Sequence, residues 1–91
     1  MRPGSDASMS TRLNIGNLPS SATEADLRSK FGQFGTVESA IVVTNAQTGR
    51  STRFGIVEMA NDVEARAAIN RLNMTQYEDV IMSVSAIRVG G

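Results

Sequence analysis

RSTRFGIVEM, Arg50–Met59, alternates in character from Phe54 onward: Phe54, Ile56 and Glu58 fall on one phase, and Gly55, Val57 and Met59 on the other. Successive side chains of a strand point to opposite faces, so these two sets are separated by the backbone itself. Val57 and Met59 mark the buried face, which leaves Phe54, Ile56 and Glu58 facing outward together. The neighbours of this strand decide what buries its inner face.

Immediately upstream, Thr36 to Val43 is rich in β-branched residues, and the polar stretch TNAQTGRS joins it to Thr52–Met59. That pattern reads as an antiparallel hairpin with a rather long loop. Downstream, Asn61 and Glu64 have capping-box spacing, and Ala65, Ala68, Ile69 and Leu72 follow at helical intervals. Toward the N-terminus, Arg12, Leu13, Asn14 and Ile15 alternate as a strand that Gly16, Asn17 and Pro19 end. Thr23 and Asp26 then open a helix with an apolar stripe of Leu27, Phe31 and Phe34, stopped near Gly32 and Gly35. After a polar link, NMTQYED, the segment Val80–Val89 reads as a last strand with Met82 and Val84 on one face.

The resulting order is βαββαβ, an α+β chain of ferredoxin-like type: two helices packed on one face of a four-stranded antiparallel sheet, the other face open. Residues 11–89 form the domain, and residues 90–91 a short C-terminal tail. Residues 1–10 are small, polar and Pro/Gly/Ser-containing, a native flexible tail or a remnant of expression, and are left out of the fold.

Composition narrows the chemistry. At 91 residues the chain has room for one modest core and not for a deep catalytic cleft as well. Nine basic residues balance nine acidic ones, so any electropositive site is a local patch, and with a single lysine, Lys30, that patch is made of arginines. The absence of histidine and cysteine removes the commonest general acid/base, the commonest metal ligands and any disulfide. No enzyme activity, cofactor or metal is expected. No apolar run approaches the roughly 20 residues of a membrane span, so no membrane partner is expected either, and a soluble intracellular protein is the working expectation.

On these elements the chain resembles the RNA recognition motif family over Thr11 to Val89. The short ribonucleoprotein motif is LNIGNL, Leu13–Leu18, and the long one TRFGIVEM, Thr52–Met59. The long motif ordinarily runs basic, Gly, aromatic, Gly, aromatic, Val, any, aromatic. Phe54, Gly55 and Val57 match it, whereas Thr52, Arg53, Ile56 and Met59 depart. TGRS before the third strand, AIxxLN closing the second helix and FGxFG closing the first agree with the resemblance as packing and turn features.

The resemblance implies single-stranded RNA as partner, with bases stacked on three rings of the open face. Those positions are Asn14, Phe54 and Ile56 here, so one ring of three remains. Asn14 can hydrogen-bond a base edge, and Ile56 can pack beneath a base or sugar. Arg12, Arg50, Arg53 and Arg88 are candidate phosphate or base contacts. Ser83 and Ser85 complete the face on the last strand. Glu58 shares the outward phase and opposes phosphate, pairing with an arginine or discriminating a base amino group. Arg28, Arg66 and Arg71 read as solvated helix charges. The expected affinity is weak to moderate. The alternative is a protein-interaction module or homodimer, through an apolar patch of Ile41, Phe54 and Ile56 or through an exposed edge on the last strand.

Overall fold

The computed structural model describes residues 10–87. Strand β1 is Thr11–Gly16, helix α1 Glu24–Gly32, strand β2 Val37–Thr44, strand β3 Ser51–Met59, helix α2 Asp62–Leu72, strand β4 Thr75–Tyr77 and strand β5 Val80–Ile87. The sheet runs β2-β3-β1-β5-β4, with every neighbouring pair antiparallel. The two motif strands, β1 and β3, therefore occupy its centre.

The inner phase of each central strand is sealed. Leu13, Ile15, Val57 and Met59 have no exposed surface and pack with Leu27 and Phe31 of α1 and Ala65 and Ala68 of α2. Small residues on α2 let that helix lie close to the sheet. Phe34, expected within the stripe of α1, falls beyond the helix end and packs on the core from the connection to β2.

Both helix starts follow their sequence signals, with one difference. At α1 the box is complete: the Asp26 amide donates to Thr23 Oγ1 and the Thr23 amide to Asp26 Oδ2, each at 3.1 Å. At α2 the Glu64 amide donates to Asn61 Oδ1 at 2.9 Å, but the Glu64 carboxylate does not return to the cap. It accepts from the Thr36 amide at 3.0 Å and so ties the first turn of α2 to the entry of β2. A Cβ on Gly35 would collide with that Glu64 side chain. The glycine read as a helix stop is also required by this close approach.

The sheet has five strands and not the four expected, because the polar link NMTQYED contains β4. Three residues are too few to show a period. The turns around β4 also lack glycine: Met74 and Glu78 supply positive φ values of 62° and 58°. Tyr77 is the payoff of this hairpin, buried to 7% exposure with Lys30 Nζ 4.2 Å from its ring centre. Burial, reinforced by the Asp26 carboxylate, pushes the Tyr77 hydroxyl up to about 12.

Because β4 lies outside β5, the last strand is not a bare edge. Residues Val80 to Met82 pair with β4, the Met82 carbonyl also accepts from the Met74 amide, and Asn73 Oδ1 accepts from the Val84 amide. Backbone groups expected to be open to strand pairing are thus satisfied along that stretch. At the other end of the domain, Ser10, expected in the tail, donates to Glu38 at 2.7 Å. Arg88 and residues 88–89 of the expected last strand lie outside the described residues.

Candidate nucleic-acid interface

Strand register assembles the open face as three rows. In the first, Phe54 of β3 stands opposite Val43 of β2, and Gly16 of β1 opposite Ser83 of β5. In the second, Ile56 pairs with Ile41 and with Asn14, and Asn14 with Ser85. In the third, Glu58 pairs with Ser39 and with Arg12. The phase inferred for β1 and β3 therefore carries across four strands.

Phe54 is 49% exposed, although its strand is paired on both sides. Its placement depends on Gly16: a Cβ there would lie 3.3 Å from the Phe54 ring and 2.8 Å from Ser83 Oγ. Glycine on β1 leaves the ring room to approach the neighbouring strand while half of its surface stays open to solvent. Ile41 is 46% exposed beside the half-buried Ile56, which makes the second row an apolar shelf bordered by the amide of Asn14.

The arginines separate into different roles. Arg12 extends from β1 with a terminal nitrogen 3.8 Å from Glu58 Oε2, both side chains remaining partly open. Arg50 lies off the sheet in the loop between β2 and β3, exposed and without an ion pair among the described residues. That loop is ordered by Asn45, whose Oδ1 accepts from the amides of Gln47 and Thr48 and whose own amide donates to the Arg50 carbonyl at 2.7 Å. Arg53 sits in a bulge where β3 slips against β2, with a φ of 68°. Its Nε donates to the Leu18 carbonyl at 2.9 Å, so part of the guanidinium is committed to the loop between β1 and α1. The two arginines flanking this loop thus differ: Arg50 is exposed, whereas Arg53 is partly engaged by the Leu18 carbonyl.

Two features of the face were not singled out from sequence. Ile81, 45% exposed, extends the apolar surface at the start of β5, where Asn17 Nδ2 donates to its carbonyl at 2.8 Å. Counting back by two from Ser83 puts Ile81 in the outward phase, so the signal was present. The fit of Gly16 beneath Phe54 depends on cross-strand register and had no local signal. Among the described residues, no helix is long and apolar enough to cross a membrane, and no group of His, Cys, Asp and Glu side chains gathers as a metal site.

Comparison with known proteins agrees with this architecture. A family model described as RNA recognition motif matches residues 13–80. RNA-binding protein 24 of Mus musculus is 43% identical over 58 residues, which cover 64% of this chain and 25% of the relative. The chain thus spans about a quarter of that protein's length. The crystal structure of RNA Binding Protein PG1 superposes with a TM-score of 0.82 at 36% identity, covering 85% of this chain and 93% of that one. A Sxl-lethal protein/RNA complex superposes at 0.78 with 30% identity, covering 82% of this chain and 46% of its own. With its two motifs on adjacent central strands and its helices on the opposite face, the chain belongs to the RNA recognition motif family.

Proposed function

We propose that this domain binds single-stranded RNA across its open sheet face, with Phe54 as the stacking platform, Ile56 and Ile41 as an apolar shelf and Asn14, Ser83 and Ser85 as hydrogen-bonding groups. The half-exposed Phe54 ring, laid over Gly16 at the centre of the sheet, is the observation that carries the reading. Each stacked base contributes roughly 1–3 kcal/mol. With Asn14 and Ile56 at two of the three ring positions, the interface lacks about 2–6 kcal/mol of stacking that a fully aromatic set would supply. Affinity is therefore weak to moderate, and in a longer protein it would gain from a second module.

Arg12, Arg50 and Arg53 supply phosphate or base contacts, few enough that the logarithmic salt slope is shallow, about minus 2 or shallower at about 0.7 per phosphate contact. The domain acts as a binding module; with neither histidine nor cysteine, the sequence lacks the commonest general acid/base and any thiol nucleophile.

The test is an amide-resolved titration with short randomised single-stranded RNA at two salt concentrations. Shifts centred on Asn14, Phe54, Ile56 and the Arg50–Arg53 segment, weaker at the higher salt, are the expected result. A face left unperturbed at millimolar RNA overturns the reading.

A further inference from the structure

We infer that the third row of the open face, Glu58 with Arg12, reads a guanine base; the inference rests on RNA binding across this face. Glu58 follows Ile56 by two residues on the same side of β3, which puts it about 7 Å further along the strand. A base lying on Ile56 and Ile41 therefore turns one edge toward the Glu58 carboxylate, with Arg12 beside it on β1.

Both protein contacts of Glu58 are long. Oε2 stands 3.8 Å from Arg12, Oε1 accepts from Ser39 Oγ at 3.4 Å, and the Glu58 and Arg12 side chains remain 33% and 50% exposed. Solvent-exposed ion pairs of this kind add little to folding, so these groups are held in place but available for exchange. An acid in the middle of a surface for a polyanion opposes binding unless it meets donors on the ligand.

An ionised carboxylate only accepts hydrogen bonds. Guanine alone offers it two adjacent donors, N1–H and the N2 amino group, matched to the two carboxylate oxygens, while O6 next to them accepts from a guanidinium. Cytosine and adenine present a single amino group beside a ring nitrogen that is itself an acceptor. Uracil presents one N–H between two carbonyls, which repel a carboxylate. Unpaired bases in single strands are read on these edges. A good bidentate pair discriminates by about 5- to 150-fold.

The experiment compares four short oligouridylates that differ only in one central base, G, C, A or U, by fluorescence anisotropy with the wild-type chain, Glu58→Gln and Glu58→Thr. Expected is at least about a 5-fold preference for G over U in the wild type, reduced to within about 2-fold in both variants, with affinity for the all-U strand retained or raised. Melting curves identify a variant that fails to fold; the other then decides. Equal binding of G and U by the wild type, preference for C or A, or a G preference that survives in the folded variants overturns the inference while RNA binding stands. Binding of no strand overturns the inference and the functional reading together.

Discussion

Arg53 and Leu18 hold each other reciprocally: the Leu18 amide donates to the Arg53 carbonyl at 2.9 Å, and Arg53 Nε donates to the Leu18 carbonyl at the same distance. This pairing fastens the loop after β1 to the bulge in β3, directly beside Phe54. It persists although Arg53 has a left-handed backbone, which for a residue with a Cβ is disfavoured by roughly 1–2 kcal/mol. In the family motif the position is ordinarily glycine.

Two substitutions separate the strain from the contact. Arg53→Ala keeps the strained backbone and loses the side-chain bond, so urea unfolding is expected to show a loss of about 1–2 kcal/mol. Arg53→Gly loses the same bond but relieves the backbone, and should be more stable than the alanine variant by about 1 kcal/mol. An alanine variant as stable as the glycine variant would mean that the φ of Arg53 is not strained in solution.

The ring of Phe54 and the space beneath it make separable contributions. Phe54→Ala removes the stacking platform, and because the ring is half exposed the fold should tolerate the change, while RNA affinity falls by about 5- to 150-fold. Gly16→Ala keeps the ring but forces it and Ser83 Oγ to move. Anisotropy titrations should show a several-fold loss for Gly16→Ala as well. Undiminished binding in that variant would show that the presence of the ring suffices, wherever it lies.

The pattern of what could be read from sequence follows the range of the interactions. The outward phase of Asn14, Phe54 and Ile56 was legible because burial of one face imposes a period of two on β1 and β3. The helix starts were legible because Thr23 and Asn61 act within three residues of themselves. The bond from Thr36 to Glu64 and the fit of Gly16 under Phe54 join residues far apart in the chain, and nothing local announces them. β4 was hidden for a different reason: its turns place Met74 and Glu78, and not glycine or asparagine, in the left-handed region. Arg53 was an intermediate case. Its departure from the motif glycine was visible, but its attachment to Leu18 was not.

Gly35 carries a stability prediction independent of RNA. In Gly35→Ala the new methyl group meets the Cβ, Cδ and Oε1 atoms of Glu64, and the Cβ is fixed by helix α2, so the side chain cannot simply swing aside. The bond from the Thr36 amide to Glu64 is then lost or distorted. Overpacking of this kind is expected to destabilise by about 1–3 kcal/mol in urea unfolding. The binding face is on the other side of the sheet, so RNA affinity measured where the variant is still folded should be unchanged; a coupled loss would show that α2 placement reaches the open face.

Tyr77 provides a direct pH test, since it is the one tyrosine in the sequence and its ionisation can be followed alone by absorbance near 295 nm. Burial and the neighbouring Asp26 carboxylate both disfavour the phenolate, raising the folded-state value to about 12 from 10.0. The folded state therefore holds this proton more tightly than the unfolded chain does. The stabilising contribution is complete below about pH 10 and is lost as the pH rises toward about 12, because the unfolded state ionises first. Absorbance titration should show a midpoint near 12 for the folded chain, and melting temperatures should fall between pH 10 and pH 12. Tyr77→Phe should flatten the part of that fall due to the hydroxyl. A tyrosine midpoint near 10 in folded protein would place the β4 hairpin away from Asp26 and α1, and with it the cover over the first half of β5.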